Sequence, residues 1–240
     1  HSLMGPEPMG PYGHRLEELG LYRRYYEERK AMRGTRSWFT PSKLPSETFL
    51  DSYQGDRAVE WLEKITDDYP WHLFVSFSGP HRPHDPPEEF ADRYRERDMP
   101  ASVVGEGASW RPRGGSWPSD PEEIRNTRRM YCAYIELIDT WIGRILDVLD
   151  RRGFRDSTYI VFTSDHGEML GDLDLYAKSL PYDPSLRVPL IAAGPTIEAG
   201  AQSDTMVTLS DIGPTFLDLA GAPEIVGIDD VPDDQGLQVR

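Results

Sequence analysis

The chain has 240 residues, 38% of them apolar and 28% charged, the make-up of one large α/β domain or slightly more with enough apolar residues for a core. A net charge of −15 makes it a poor partner for polyanions and argues against nucleic acid as a ligand. No stretch is long and apolar enough to span a bilayer, and the single cysteine, Cys132, cannot close a disulfide within the chain.

In chain order, residues 1–13 carry Pro6, Pro8, Pro11 and several glycines and read as loop. Residues 14–33 place Leu16, Leu19, Tyr22 and Tyr26 among Arg and Glu, an amphipathic helix pattern. Residues 34–45 read as loop, and Ser46 with Glu47 to Lys64 as a second helix. The run WHLFVSFSG, 71–79, is aromatic and β-branched and predicts a buried strand. Four prolines in residues 80–87 forbid helix or central strand, so His81 and His84 stand on a stiff loop at the end of that strand. Residues 100–119 predict a long loop, whose Trp110 and Trp117 can stack on a sugar or ring or pack on the protein's own surface.

Ser119 or Asp120 caps a helix with Pro121 just inside it. Met130, Tyr134, Leu137, Ile138, Trp141, Ile145 and Leu149 then recur every three or four residues, and Gly153 ends the helix. Cys132, inside it, reads as a buried structural thiol. TYIVFTS, 158–164, predicts a strand. Helix, short turn and buried strand predict a parallel sheet, whose ligand sites lie beyond the carboxyl ends of its strands. RVPLIAAGP, 187–195, is a third strand candidate, and residues 206–221 read as a strand-like run followed by a helix with Asp211 near its start. No internal repeat is present.

Three features can carry chemistry. Asp165 and His166 follow a predicted strand, where the alternation of faces breaks and Gly167 lets the backbone turn. A carboxylate and an imidazole aimed at one ion suit Ca, Mn or Zn to different degrees. The same residues also read as a helix N-cap with a hydrogen-bonded histidine. Lys178 is either a fixed positive charge for a developing oxyanion or a surface lysine. His81 is placed to give a proton to a leaving oxygen, with His84 as its rival, and either one also reads as a solvent-facing loop histidine. The acidic stretches Asp165 to Asp174 and Asp229 to Asp234 could hold cations, but read better as solvated surface.

TSDHGEMLGD with Lys178 and SLRVPLIAAGP downstream resembles the sulfatase family of the alkaline phosphatase superfamily. SKLPSETFLDSYQGDRAVEWLEK, FVSFSGPHRPHDPP and YCAYIELIDTWIGRILDVLDRRG extend the resemblance, in the family's usual order, over roughly residues 40–220. The resemblance implies an α/β fold with a central, mostly parallel sheet flanked by helices, of which this chain is a partial domain. Residues 1–240 would be part of a single catalytic domain, shortened at the N-terminus and also at the C-terminus. The sequence starting at His1 and stopping at Arg240 after an acidic stretch agrees with that.

The implied reaction is hydrolysis of a sulfate ester, small-molecule or glycan. Its implied cofactors are a divalent metal, calcium first with manganese or zinc as alternatives, and a formylglycine made from Cys or Ser. Carried over by position, Asp165 and His166 look like metal ligands, Lys178 like the sulfate-contacting lysine, and His81 like the sulfate or leaving-group histidine. Glu168, Asp172 and Asp174 look like loop-shaping or water-facing residues. Segment 171–178 lacks a histidine and two glycines that many relatives have, which implies a stiffer loop. The Cys/Ser-x-Pro/Ala-x-Arg segment that yields formylglycine is not in this chain, and Cys132 in Met-Tyr-Cys-Ala-Tyr-Ile does not match it. The nucleophile is therefore expected from a residue outside these 240. A phosphonate monoester or phosphodiester hydrolase of the same superfamily is the alternative, as is a non-catalytic binding relative.

Overall fold

The structure is a computed structural model that describes residues 6–35, 39–105, 117–178 and 180–222. Two compact units divide the chain, His1–Thr196 and Ile197–Arg240.

The first unit is organised by its longest helix, α5 (Pro121–Arg151). Asp120 caps it by accepting from the amides of Glu122 and Glu123, and Pro121 sits where a missing N–H costs nothing. Its stripe of Ile124, Thr127, Met130, Tyr134, Leu137, Ile138, Trp141, Val148 and Leu149 is buried at helical spacing. Two earlier helices pack on that stripe. In α3 (Leu50–Lys64) the buried positions are Asp51, Ser52, Gly55, Ala58 and Leu62, close to a single face. Gly55 is what lets the two helices meet, since a Cβ there would lie 2.6 Å from the Trp141 ring. In α4 (Glu88–Tyr94), Phe90 and Ala91 are buried. Leu44, Phe49, Phe90, Ala133, Tyr134, Leu137, Ile138 and Trp141 form the main core. Each large apolar side chain buried there contributes about 1.5–3 kcal/mol.

The N-terminal helix predicted over 14–33 is two helices, α1 (Gly10–Glu18) and α2 (Tyr22–Thr35). Gly20 at φ +70° breaks them apart, and Pro11 starts the first inside the predicted loop.

Residues 71–78 alternate as a strand does: Trp71, Leu73, Val75 and Phe77 are half-buried, while His72, Phe74 and Ser76 are exposed. Trp71 and Leu73 pack on a second cluster built from Leu62, Val148 and Leu149, and Ile160 packs there too. The segment has no strand pairing among the described residues, and Phe74 is 81% exposed, so the predicted buried strand is an extended segment covered on one face only.

The sheet among the described residues joins β1 (Ile160–Thr163) and β2 (Leu190–Ala193). The α/β class of a partial domain holds. These two strands run antiparallel, Ile160 opposite Ala193 and Thr163 opposite Leu190. The intervening chain turns back through the loop after β1 and the short helix α6 (Asp183–Leu186), with no full crossover helix of the kind parallel neighbours need. No described helix is long and apolar enough to cross a membrane. In the second unit a capping box at Thr208 and Asp211 opens one 3₁₀ turn that continues into α7 (Ile212–Leu219). The strand-like run expected before it forms no strand among the described residues.

Candidate active site

Two segments meet. The first is the turn after residues 71–78. Its backbone is held by side chains of α3: the Ser78 amide donates to Gln54 Oε1 at 3.2 Å, and the Gly79 amide to Asp51 Oδ1 at 2.7 Å. Asp51 is wholly buried, and its second oxygen accepts from the Tyr134 hydroxyl at 2.7 Å. Burial raises the Asp51 carboxyl despite those bonds. Gly79 has to be glycine, because a Cβ there would fall 1.8 Å from the Tyr134 ring.

The turn separates the two histidines. His84 is 2% exposed, its Nδ1 donates to the Pro80 carbonyl at 3.0 Å, and its ring meets Tyr131 edge-on. Burial pushes it down to about 4, so it is a neutral structural residue at pH 7. His81 is exposed, and its Nδ1 donates to the Arg82 carbonyl at 2.8 Å. Partial desolvation lowers its pKa, and the charges of Lys178, Arg82 and His166 lower it further. Lys178 and His166 thus lie within electrostatic range of His81.

The second segment runs from the end of β1 to Lys178. The His166 amide donates to Asp165 Oδ1 at 3.0 Å, and the Ser164 hydroxyl donates to the His166 carbonyl at 2.8 Å. No helix begins directly after it, residues 166–171 being non-helical, so Asp165 is not an N-cap. Gly167 does not use the left-handed region. Its amide donates to the Ser185 carbonyl at 2.8 Å, and a Cβ would lie 2.0 Å from the Pro184 carbonyl oxygen, so close approach explains the glycine rather than freedom to turn.

The loop to Lys178 is strained. Leu170, Leu173, Asp174 and Ala177 all have positive φ, a conformation that costs a side-chain-bearing residue about 1–2 kcal/mol. Other contacts hold it there. Glu168 Oε1 accepts from the amides of Ala177 and Leu170, and Met169 donates to the Ala177 carbonyl at 3.1 Å. Asp172 accepts from the Val103 amide and pairs with Arg128 at 2.6 Å. Glu168 and Asp172 are thus loop-shaping residues, as expected. Lys178 itself is exposed at the loop's end. A stack joins the two segments: Arg82 lies 4.1 Å over the Trp117 ring, and Trp117 stacks on Tyr176 at 5.0 Å. Trp117 packs on the protein's own surface, and Trp110 lies outside the described residues.

The Asp165–His166 pair fits a cation. His166 Nδ1 stands 2.8 Å from the Gly167 carbonyl, which only accepts, so the ring proton is on Nδ1. In the neutral ring Nε2 is then a bare lone pair 3.3 Å from Asp165 Oδ2. Two acceptors that close call for a positive charge, either a proton on Nε2 or a metal ion. The Asp165 side chain is 84% exposed, open to an ion from solvent. Among the described residues no third His, Cys, Asp or Glu joins them, so the pair alone would supply at most part of a coordination shell. The acidic residues 229–234 lie outside the described residues. Cys132 does not fit as a source of formylglycine: it is half-buried in the middle of α5, and burial raises its thiol.

Sequence reasoning missed Asp51, Gln54 and Tyr134. A signal existed for the first: Asp51 stands at the head of the 51, 55, 58, 62 stripe, where an acid is out of place unless it has a partner.

A family model for Sulfatase matches residues 21–222. An arylsulfatase of Clostridium perfringens is 30% identical over 177 residues, 69% of this chain and 37% of the relative. A choline-sulfatase of Rhizobium meliloti is 34% identical over 184 residues, 71% of this chain and 36% of the relative. The crystal structure of a phosphonate monoester hydrolase of Agrobacterium radiobacter superposes with a TM-score of 0.69 at 27% identity, over 82% of this chain and 46% of that one. The chain thus spans less than half the length of these proteins.

Proposed function

The chain belongs to the sulfatase family, and on that premise we propose that it is part of a longer, metal-dependent sulfuric ester hydrolase and carries half of that enzyme's active site. The observation that supports this reading is that Lys178, at the end of its loop, and His166, after β1, lie within electrostatic range of His81, after residues 71–78. A sulfate monoester is an anion with a basic leaving oxygen. It needs fixed cations on its sulfuryl oxygens and a proton for the departing alcohol.

Asp165 and His166 would hold a divalent cation, calcium before manganese or zinc. When bound, that cation would draw charge off a sulfuryl oxygen as a Lewis acid. The protein residues do the rest. Lys178, exposed at the end of the held loop, receives the sulfate. His81 keeps Nδ1 tied to the Arg82 carbonyl, which orients the ring of the proposed proton donor. Its lowered pKa makes its protonated form a stronger acid toward the leaving oxygen. The nucleophile, a formylglycine, comes from the remainder of the polypeptide. The substrate is a small-molecule or glycan sulfate ester.

The structural likeness to the phosphonate monoester hydrolase favours a second reading, hydrolysis of a phosphonate monoester or phosphodiester at the same residues. One assay on the full-length polypeptide tests both. It compares turnover of 4-nitrophenyl sulfate and 4-nitrophenyl phenylphosphonate before and after chelation, and after calcium is restored. Sulfate turnover that chelation abolishes and calcium restores, but not in Asp165→Ala, supports the first reading. Faster turnover of the phosphonate supports the second. Full activity of Asp165→Ala in saturating metal would remove Asp165 from the ligand set.

A further inference from the structure

Three consecutive residues just before His81 are each tied by a buried or half-buried side chain. Ser78 is held through Gln54, Gly79 through Asp51, and the Pro80 carbonyl through His84. The middle tie is unlike the others. Asp51 has no exposure at all, lies on the inner face of α3, and spends one oxygen on the Gly79 amide and the other on the Tyr134 hydroxyl. Tyr134 also fills the space a Cβ at residue 79 would need, so the turn is gripped from α3 by a carboxylate and from α5 by an aromatic ring. A buried carboxylate is a costly way to satisfy one amide, since it must leave water. What it gains is direction: a charge-assisted bond is shorter and more orienting than a neutral one.

We propose that Asp51, itself held by Tyr134, is a positioning residue for His81: it fixes the Gly79 amide and with it the turn on which the proton donor stands. Asp51 never reaches substrate. Its effect on the reaction passes through where His81 points. The inference rests on the reading of His81 as the leaving-group acid, and one set of variants separates the two.

The experiment measures kcat and KM of the full-length enzyme on an activated aryl sulfate and on an alkyl sulfate with a poor leaving group. Misplacing a catalytic group by about 1 Å costs on the order of 10²-fold in rate, so Asp51→Ala is expected to lose about that on the alkyl ester, with a much smaller loss on the aryl ester and KM unchanged. Asp51→Asn keeps an acceptor for Gly79 and is expected to recover most of the rate. Tyr134→Phe leaves the ring against Gly79 but removes the hydroxyl, and is expected to show the same selectivity in weaker form. It also decides the matter if Asp51→Ala does not fold. Equal losses on both esters, or wild-type kcat in folded Asp51→Ala, would overturn the proposal. His81→Ala is the control. If it is selective against the alkyl ester and the Asp51 and Tyr134 variants are not, the positioning role alone fails. If His81→Ala is itself unselective, the acid role fails and the positioning role falls with it.

Discussion

Replacing Glu168 with Ala tests whether the loop carrying Lys178 is held as described. Glu168 Oε1 closes this loop by accepting from the Ala177 amide, with a longer 3.4 Å bond from Leu170. A hydrogen bond to a charged acceptor contributes about 1.5–3 kcal/mol. The loop has little reserve, because Leu170, Leu173, Asp174 and Ala177 are already in a costly conformation. Glu168→Ala is therefore expected to lower the local opening free energy by about 2 kcal/mol, or roughly 30-fold in the exchange rate of the Ala177 amide. Amides in the middle of α5 provide the internal reference and should not change. Glu168→Gln keeps an acceptor oxygen and should exchange close to wild type. The readout is native-state hydrogen exchange followed by mass spectrometry or NMR, which requires no turnover. If Ala177 exchanges at the same rate in Glu168→Ala and wild type, Glu168 does not hold the loop, and the rigid placement of Lys178 loses its cause.

Two other perturbations follow from the same contacts. Gly167→Ala places a methyl group 2.0 Å from the Pro184 carbonyl oxygen and is expected to cost about 1–3 kcal/mol, read as a lower melting temperature and weaker calcium binding by calorimetry; a wild-type melt would show that the close approach does not exist in solution. Two neighbouring buried groups, His84 and Asp85, the latter paired with Arg29 at 3.0 Å, give a pH test with two opposite signs. Burial depresses His84 from 6.5 to about 4, so the unfolded chain takes up its proton first and stability from this group is lost as pH falls from 6.5 toward 4. Burial raises Asp85 from 3.8 to about 7, so its folded state takes up the proton first and stability is gained over nearly the same range. The two offset each other in the wild type. In Asp85→Asn the His84 loss stands alone, about 3 kcal/mol between pH 6.5 and 4 at 1.36 kcal/mol per pH unit. Urea denaturation of Asp85→Asn against Asp85→Asn, His84→Gln measures it, and equal pH slopes would contradict the assignment.

What the sequence disclosed divides by the range of the interaction. Helix α5 was legible because its stripe and its Asp120–Pro121 start are local. Asp165, His166, Lys178 and His81 could be named as candidates because their motifs are contiguous. The rest depends on partners far along the chain. Nothing around residues 187–195 says that β2 runs antiparallel to β1, since strand direction is set by how the chain returns. Gly20 was read through as helix because the apolar spacing on either side keeps its phase. On the residues alone His84 was a rival to His81, and what sets it aside, its burial against Tyr131 from a helix nearly fifty residues away, is not local. Asp51 and Tyr134 meet across 83 residues, which no local pattern reports.

The stack of Arg82, Trp117 and Tyr176 has a consequence for anyone wishing to redirect such an enzyme. Loops at active sites are usually exchanged one at a time. Here the proton-donor turn and the lysine-bearing loop are fastened face to face by a residue that belongs to neither, with Trp117 in the middle and the Tyr176 hydroxyl anchored on the Pro118 carbonyl. A new sequence placed between residues 168 and 178 that omits an aromatic at 176 would uncover one side of Trp117 and loosen Arg82 beside His81. Substrate preference in this scaffold would then be inherited in blocks: residues 80–84, 117–118 and 168–178 form one exchangeable unit, and libraries that vary them together should retain function more often than libraries that vary them singly.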